Sequence, residues 1–136
     1  MIFVPFINKF PEVAEQESLI VSILDDGLSI PRGTYCFLES FCDDPKCDCR
    51  KVMINVYDIK NPSQLLATIG FGWEKANYYV KWMHGDPLGR EMVGAYLDSA
   101  GRQTENASKF LEMWQKMILD EEYLERIKKH YKMVKE

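Results

Sequence analysis

Cys42, Cys47 and Cys49 fall within one eight-residue stretch, Cys-Asp-Asp-Pro-Lys-Cys-Asp-Cys, with Arg50 and Lys51 directly behind it. Thiols this dense can share a metal ion, exchange disulfides, or supply a nucleophile. Asp43-Asp44-Pro45-Lys46 has the composition of a turn, with Pro45 fixing φ, so the chain is expected to bring Cys47 back towards Cys42. Cys47 and Cys49 are two residues apart. In extended chain they project to the same side, with Cα atoms ~6.5 Å apart. The spacing therefore predicts one centre with Cys42, Cys47 and Cys49 as ligands. Zinc is the expected ion, because it accepts thiolate sulfur in a tetrahedron. Arg50 and Lys51 are placed to offset the thiolate charge.

A tetrahedral site needs a fourth donor. Cys36 shares parity with Cys42, but six extended residues separate them, ~20 Å by strand rise, so it falls out of reach. It is expected to be a small buried strand residue. The two histidines, His84 and His130, each offer a ring nitrogen. Asp43, Asp44, Asp48 or a water molecule are further candidates.

Composition bounds the rest. The chain of 136 residues is 46% hydrophobic and 12% aromatic, enough for the core of a single domain over 1–136. A net charge of −4 disfavours non-specific nucleic-acid binding, which depends on neutralising phosphates. The basic residues of the last helix, Arg126, Lys128, Lys129, Lys132 and Lys135, read as a solvated face. No apolar run is long enough for a membrane span. The N-terminal Met-Ile-Phe-Val-Pro-Phe stretch lacks the features of a secretory signal. The expected setting is the cytoplasm, where clustered thiols read as metal ligands or reactive groups rather than as disulfides.

The elements that must position the cysteines are β in the first half and α in the second. Strands are predicted over 18–24, 34–41, 51–58 and 64–71, with a turn at Asp25-Asp26-Gly27. Val52, Ile54 and Val56 alternate onto one face. Short connections imply an antiparallel meander. Phe3, Phe6 and Phe10 are expected to fold onto the core as a strand. Helices are predicted over 74–83, 104–119 and 121–133, with Asp120 as N-cap of the last and 84–101 as mostly loop. The fold class is α+β: an antiparallel meander packed by C-terminal helices. Glu39, in mid-strand, is expected to face solvent.

The segments GTYCFLESFCDDPKCDCRKVMINV, IGFGWE and YLERIKKHYKMVK resemble a family of small prokaryotic proteins without assigned activity. The resemblance runs from about Phe10 to the end. Its C-x-D-P-x-C-D-C-R signature matches Cys42, Asp44, Pro45, Cys47, Asp48, Cys49 and Arg50, and its later landmarks match Gly72-Trp73-Glu74 and His130-Tyr131. Lys51 stands where the family would carry a second Arg. His130 has a counterpart in the family and His84 does not, so the resemblance tips the fourth ligand towards His130.

No hydrolase elbow, P-loop, dinucleotide-binding or zinc-protease motif is present, nor the P-C-x-x-C with H-x-E of zinc deaminases. Three functions stay open on sequence. The first is a binding or interaction module with a structural zinc, its partner an unknown protein or small molecule. The second is a metalloenzyme with an open coordination position and a cleft near His84, Asp86 or Glu39. The third is a thiol redox protein.

Overall fold

The computed structural model describes residues 2–25 and 29–136. Asp26 and Gly27 of the expected turn lie outside the described residues. One antiparallel sheet forms from β1 (Phe3–Pro5), β2 (Leu19–Ile23), β3 (Gly33–Cys42), β4 (Lys51–Asp58), β5 (Asn61–Gly72) and β6 (Gly94–Leu97). β3, β4 and β5 pair in chain order, and β6 closes the far edge on β5. β1 and β2 share the near edge of β3: Leu19–Ile23 pairs with Gly33–Phe37, and Phe3–Pro5 with Ser40–Cys42. The meander is as expected, with an extra strand at each edge.

Alternation selects the core face. Tyr35, Phe37 and Phe41 of β3 are buried with Val52, Ile54 and Val56 of β4 and Ala67, Ile69 and Phe71 of β5. The long helices α4 (Ala107–Met117) and α5 (Glu121–Lys135) cover this face. Phe110 meets Tyr35 and Phe37, Trp114 meets Phe71, and Tyr131 meets Phe41, all edge-on. Asp120 caps α5 as its sequence indicates, its side chain accepting from the Glu122 N–H at 2.9 Å. The buried Trp114 Nε1–H donates to Tyr123 Oη at 2.9 Å and ties the two helices together.

Two segments differ from expectation. Phe3, Phe6 and Phe10 do not lie on one strand: only Phe3–Pro5 is extended, followed by the short helices α1 (Phe6–Lys9) and α2 (Pro11–Glu17). Pro11 at the start of α2 suits a helix N-terminus, where no N–H is needed. Residues 84–101 are not mostly loop. After α3 (Ala76–Trp82), a 3-10 turn at Pro87–Met92 leads into β6. The four residues of β6 are too few to establish a period.

Gly72, opposite Lys51 at the β4–β5 register, sits where no side chain fits. A Cβ there would lie 2.2 Å from the Met92 carbonyl oxygen and 2.6 Å from Tyr79 Oη. Gly72→Ala is expected to lower stability by about 1–3 kcal/mol, as overpacking does. A urea-denaturation midpoint unchanged from that of the parent protein would contradict this.

Candidate metal centre

β3 ends at Cys42 and β4 begins at Lys51, so the intervening loop must reverse the chain. The reversal starts with a turn in which the Cys47 N–H donates to the Asp44 carbonyl at 3.1 Å. The Asp44 side chain accepts from the Lys46 N–H at 2.9 Å. The loop ends at Arg50, whose φ of 48° lies in the left-handed region. A residue with a Cβ costs roughly 1–2 kcal/mol there. Surrounding hydrogen bonds fix the conformation. The Tyr131 hydroxyl accepts from the Arg50 N–H at 3.1 Å and donates to Asp48 Oδ1 at 2.8 Å. The Tyr79 hydroxyl donates to the Arg50 carbonyl at 2.8 Å and accepts from the Glu74 N–H at 3.0 Å. Tyr78 donates to the Asp48 carbonyl. Three tyrosines from α3 and α5 thus hold the backbone on both sides of Cys49.

The loop gathers Cys42, Cys47 and Cys49 so that their sulfurs all lie within 4.8 Å of one another. Cys42 and Cys49 are buried and Cys47 is half-buried. A tetrahedral ion with ~2.3 Å bonds to sulfur wants sulfurs ~3.8 Å apart, so a small closure of the loop suffices. The donor set fits a thiophilic divalent ion.

Burial and the neighbouring sulfurs oppose ionisation here. The Cys49 thiol is pushed up to about 12 by burial first and then by the charges of Cys47 and Cys42. Cys47 is also raised, by burial and by its hydrogen bond to Cys42. The Lys51 backbone N–H hydrogen-bonds Cys49, and the Lys135 charge acts on both Cys47 and Cys49 in the opposite sense. A bound cation would place positive charge directly against the sulfurs.

The basic residue nearest the sulfurs in effect is therefore Lys135, not Arg50 or Lys51 as the sequence suggests. Lys135 Nζ donates to the Asp44 carbonyl at 2.8 Å. The Arg50 guanidinium turns away to Asp48 at 2.9 Å and Glu74 at 3.5 Å, over the Tyr78 ring. Lys51 Nζ lies over the Tyr96 ring. Cys36 stays out of the group, as its reach implies, but it is half-buried rather than buried. It lines a groove with Leu38, Asn55 and Tyr57 on the sheet face away from α4 and α5.

His130 is not brought into the group either. It is 1% exposed, and both ring nitrogens are engaged: Nδ1 with Glu39 at 2.6 Å and Nε2 with Glu17 at 2.8 Å. Glu39 does not face solvent. It lies on the core face of β3 with Phe37 and Phe41, and is 6% exposed. Phe6 stacks on the imidazole at 4.1 Å, and Lys129 pairs with Glu17 at 3.0 Å. Burial disfavours the imidazolium, but the hydrogen bonds and charges of Glu39 and Glu17 outweigh it, so the His130 pKa is raised. The hydrogen bonds from His130 and Lys129 hold the Glu17 carboxyl below its ordinary range. This cluster ties α1 and α2 to α5. Asp48 is likewise occupied, by Tyr131 and Arg50, and His84 is exposed at the end of α3.

Comparison with protein-family models, curated proteins and solved structures finds no match.

Two outcomes test this arrangement. Tyr131→Phe leaves the half-buried Arg50 N–H without its partner and should cost about 1–3 kcal/mol in urea denaturation. Retained stability would show that the tyrosine does not hold the loop. The second outcome concerns pH. With its pKa raised above 6.5, His130 contributes stability that is complete below 6.5 and lost as pH rises through the folded value. With its pKa lowered below 4.5, Glu17 contributes stability present above 4.5 and lost as pH falls through its folded value. The Tm deficit of Glu17→Gln should therefore peak between those two pH values and shrink on either side. A deficit independent of pH would contradict the ionic cluster.

Proposed function

We propose that this protein is a zinc-binding domain of a reducing, cytoplasmic setting. Cys42, Cys47 and Cys49 supply the ligands, and the metal staples the β3–β4 loop. The observation that carries this is the convergence of three thiol sulfurs within 4.8 Å, two of them buried, on a loop held from outside by tyrosines. Buried thiols with raised pKa are poor nucleophiles, which weighs against thiol redox chemistry as the main activity. A bound ion would drive off their protons, so affinity should rise with pH.

The metal's role in this reading is structural. The hydrophobic core is built from both halves of the chain and does not run through the cysteines alone. Metal loss is therefore expected to loosen the loop and lower Tm rather than unfold the domain. The domain would work as a binding or interaction module. The apolar groove on the sheet face opposite the helices, with Ile7, Leu38, Tyr57 and Ile59 in its wall, supports that role.

Elemental analysis of protein purified without added metal tests the proposal. About one equivalent of zinc is expected, lost in Cys42→Ser, Cys47→Ser and Cys49→Ser and kept in Cys36→Ser. Chelation should lower Tm, since a ligand that binds only the folded state stabilises it by mass action. Less than half an equivalent of metal with all four thiols free would refute it.

A further inference from the structure

The three-sulfur group has no fourth member among the described residues: no other His, Cys, Asp or Glu joins Cys42, Cys47 and Cys49. The obvious candidates are committed elsewhere. Both nitrogens of His130 are engaged by carboxylates, and the two oxygens of Asp48 by Tyr131 and Arg50. Asp44 Oδ1 caps its own turn on the Lys46 N–H. Cys36 is in register with Ile20 and Tyr57, along β3 from Cys42.

Charge then restricts what can fill the remaining position. Between Asp43 and Lys51 the acids Asp43, Asp44 and Asp48 equal the bases Lys46, Arg50 and Lys51 in number. Three thiolates on a divalent ion leave one negative charge. Lys135, whose ammonium is anchored on the Asp44 carbonyl within the same loop, offsets it. A neutral fourth donor leaves the centre balanced. An anion adds an uncompensated charge beside two buried sulfurs, which is costly.

We infer that the fourth coordination position is filled from outside the chain, and that it selects a neutral donor of the imidazole class over small anions. This rests on the metal-binding reading above. Half-buried Cys47 is the side from which such a ligand enters, since Cys42 and Cys49 are closed off from solvent. Three protein ligands from one loop still staple that loop, while the fourth position allows the ligand exchange of zinc sites with three protein ligands. The site would thus combine a fixed three-sulfur base with an exchangeable fourth ligand.

Cobalt(II) substitution reads this directly, because its visible bands report the ligand set without any assay of activity. Titrating imidazole into the cobalt-loaded protein should shift the d–d bands in a saturable way. The thiolate-to-cobalt charge-transfer band should persist, and equilibrium dialysis should find the metal still bound. Azide at the same concentrations should shift the bands at least tenfold less effectively. His84→Ala and Cys36→Ser should give the parent spectrum before imidazole is added. Bands insensitive to imidazole would mean a closed site, and an equal response to azide would overturn the charge argument. A changed starting spectrum in either variant would identify an internal fourth ligand and overturn the inference. Failure to form any charge-transfer band would instead overturn the metal reading on which it rests.

Discussion

The left-handed turn at Arg50 is the constraint on which the metal centre depends. It is the point where the loop leaving β3 becomes β4, and it lies immediately after Cys49. Left alone, a side chain at this φ would relax, and Cys49 would swing away from Cys42 and Cys47. Tyr131 takes the Arg50 N–H and Tyr79 takes its carbonyl. Two hydrogen bonds of ordinary strength, together with the Asp48 contacts, are enough to offset a penalty of roughly 1–2 kcal/mol. The close approach of Tyr79 depends in turn on the missing side chain at Gly72. The geometry of the thiols is therefore set largely by residues that never touch a sulfur.

α5 serves two sites at once. His130 closes the carboxylate cluster with Glu39 and Glu17, while the next residue, Tyr131, holds the cysteine loop. One turn further on, Lys135 reaches the Asp44 carbonyl. The buried cluster is a costly element unless every member is paired, because removing one partner leaves a charge in the core. Here each ring nitrogen meets an oxygen, and Lys129 supports Glu17 from the solvent side. The N-terminal helices are held by the same helix that holds the metal loop, so a displacement of α5 would disturb both.

Much of this was legible in the sequence. The alternation of Val52, Ile54 and Val56, the helical stripes and the Asp120 cap carry strong local signals, and the structure agrees with them. The cysteine triad was legible because turn composition and spacing are local too. Glu39 was misread although the same alternation places it with Phe37 and Phe41: a carboxylate in a core needs a partner, and His130 is 91 residues away in the chain. The Tyr131 hydroxyl and Lys135 act over similar separations. Nothing in local pattern distinguishes them from ordinary core and surface residues. β6 was missed because a four-residue strand gains its stability from its neighbour rather than from its own sequence.

The most direct test of the account is X-ray absorption at the metal edge of the zinc-loaded protein. Three sulfur scatterers at ~2.3 Å and one lighter nitrogen or oxygen neighbour at ~2.0–2.1 Å are expected. A shell of four sulfurs, or one in which Cys49→Ser leaves the sulfur count unchanged, would contradict it.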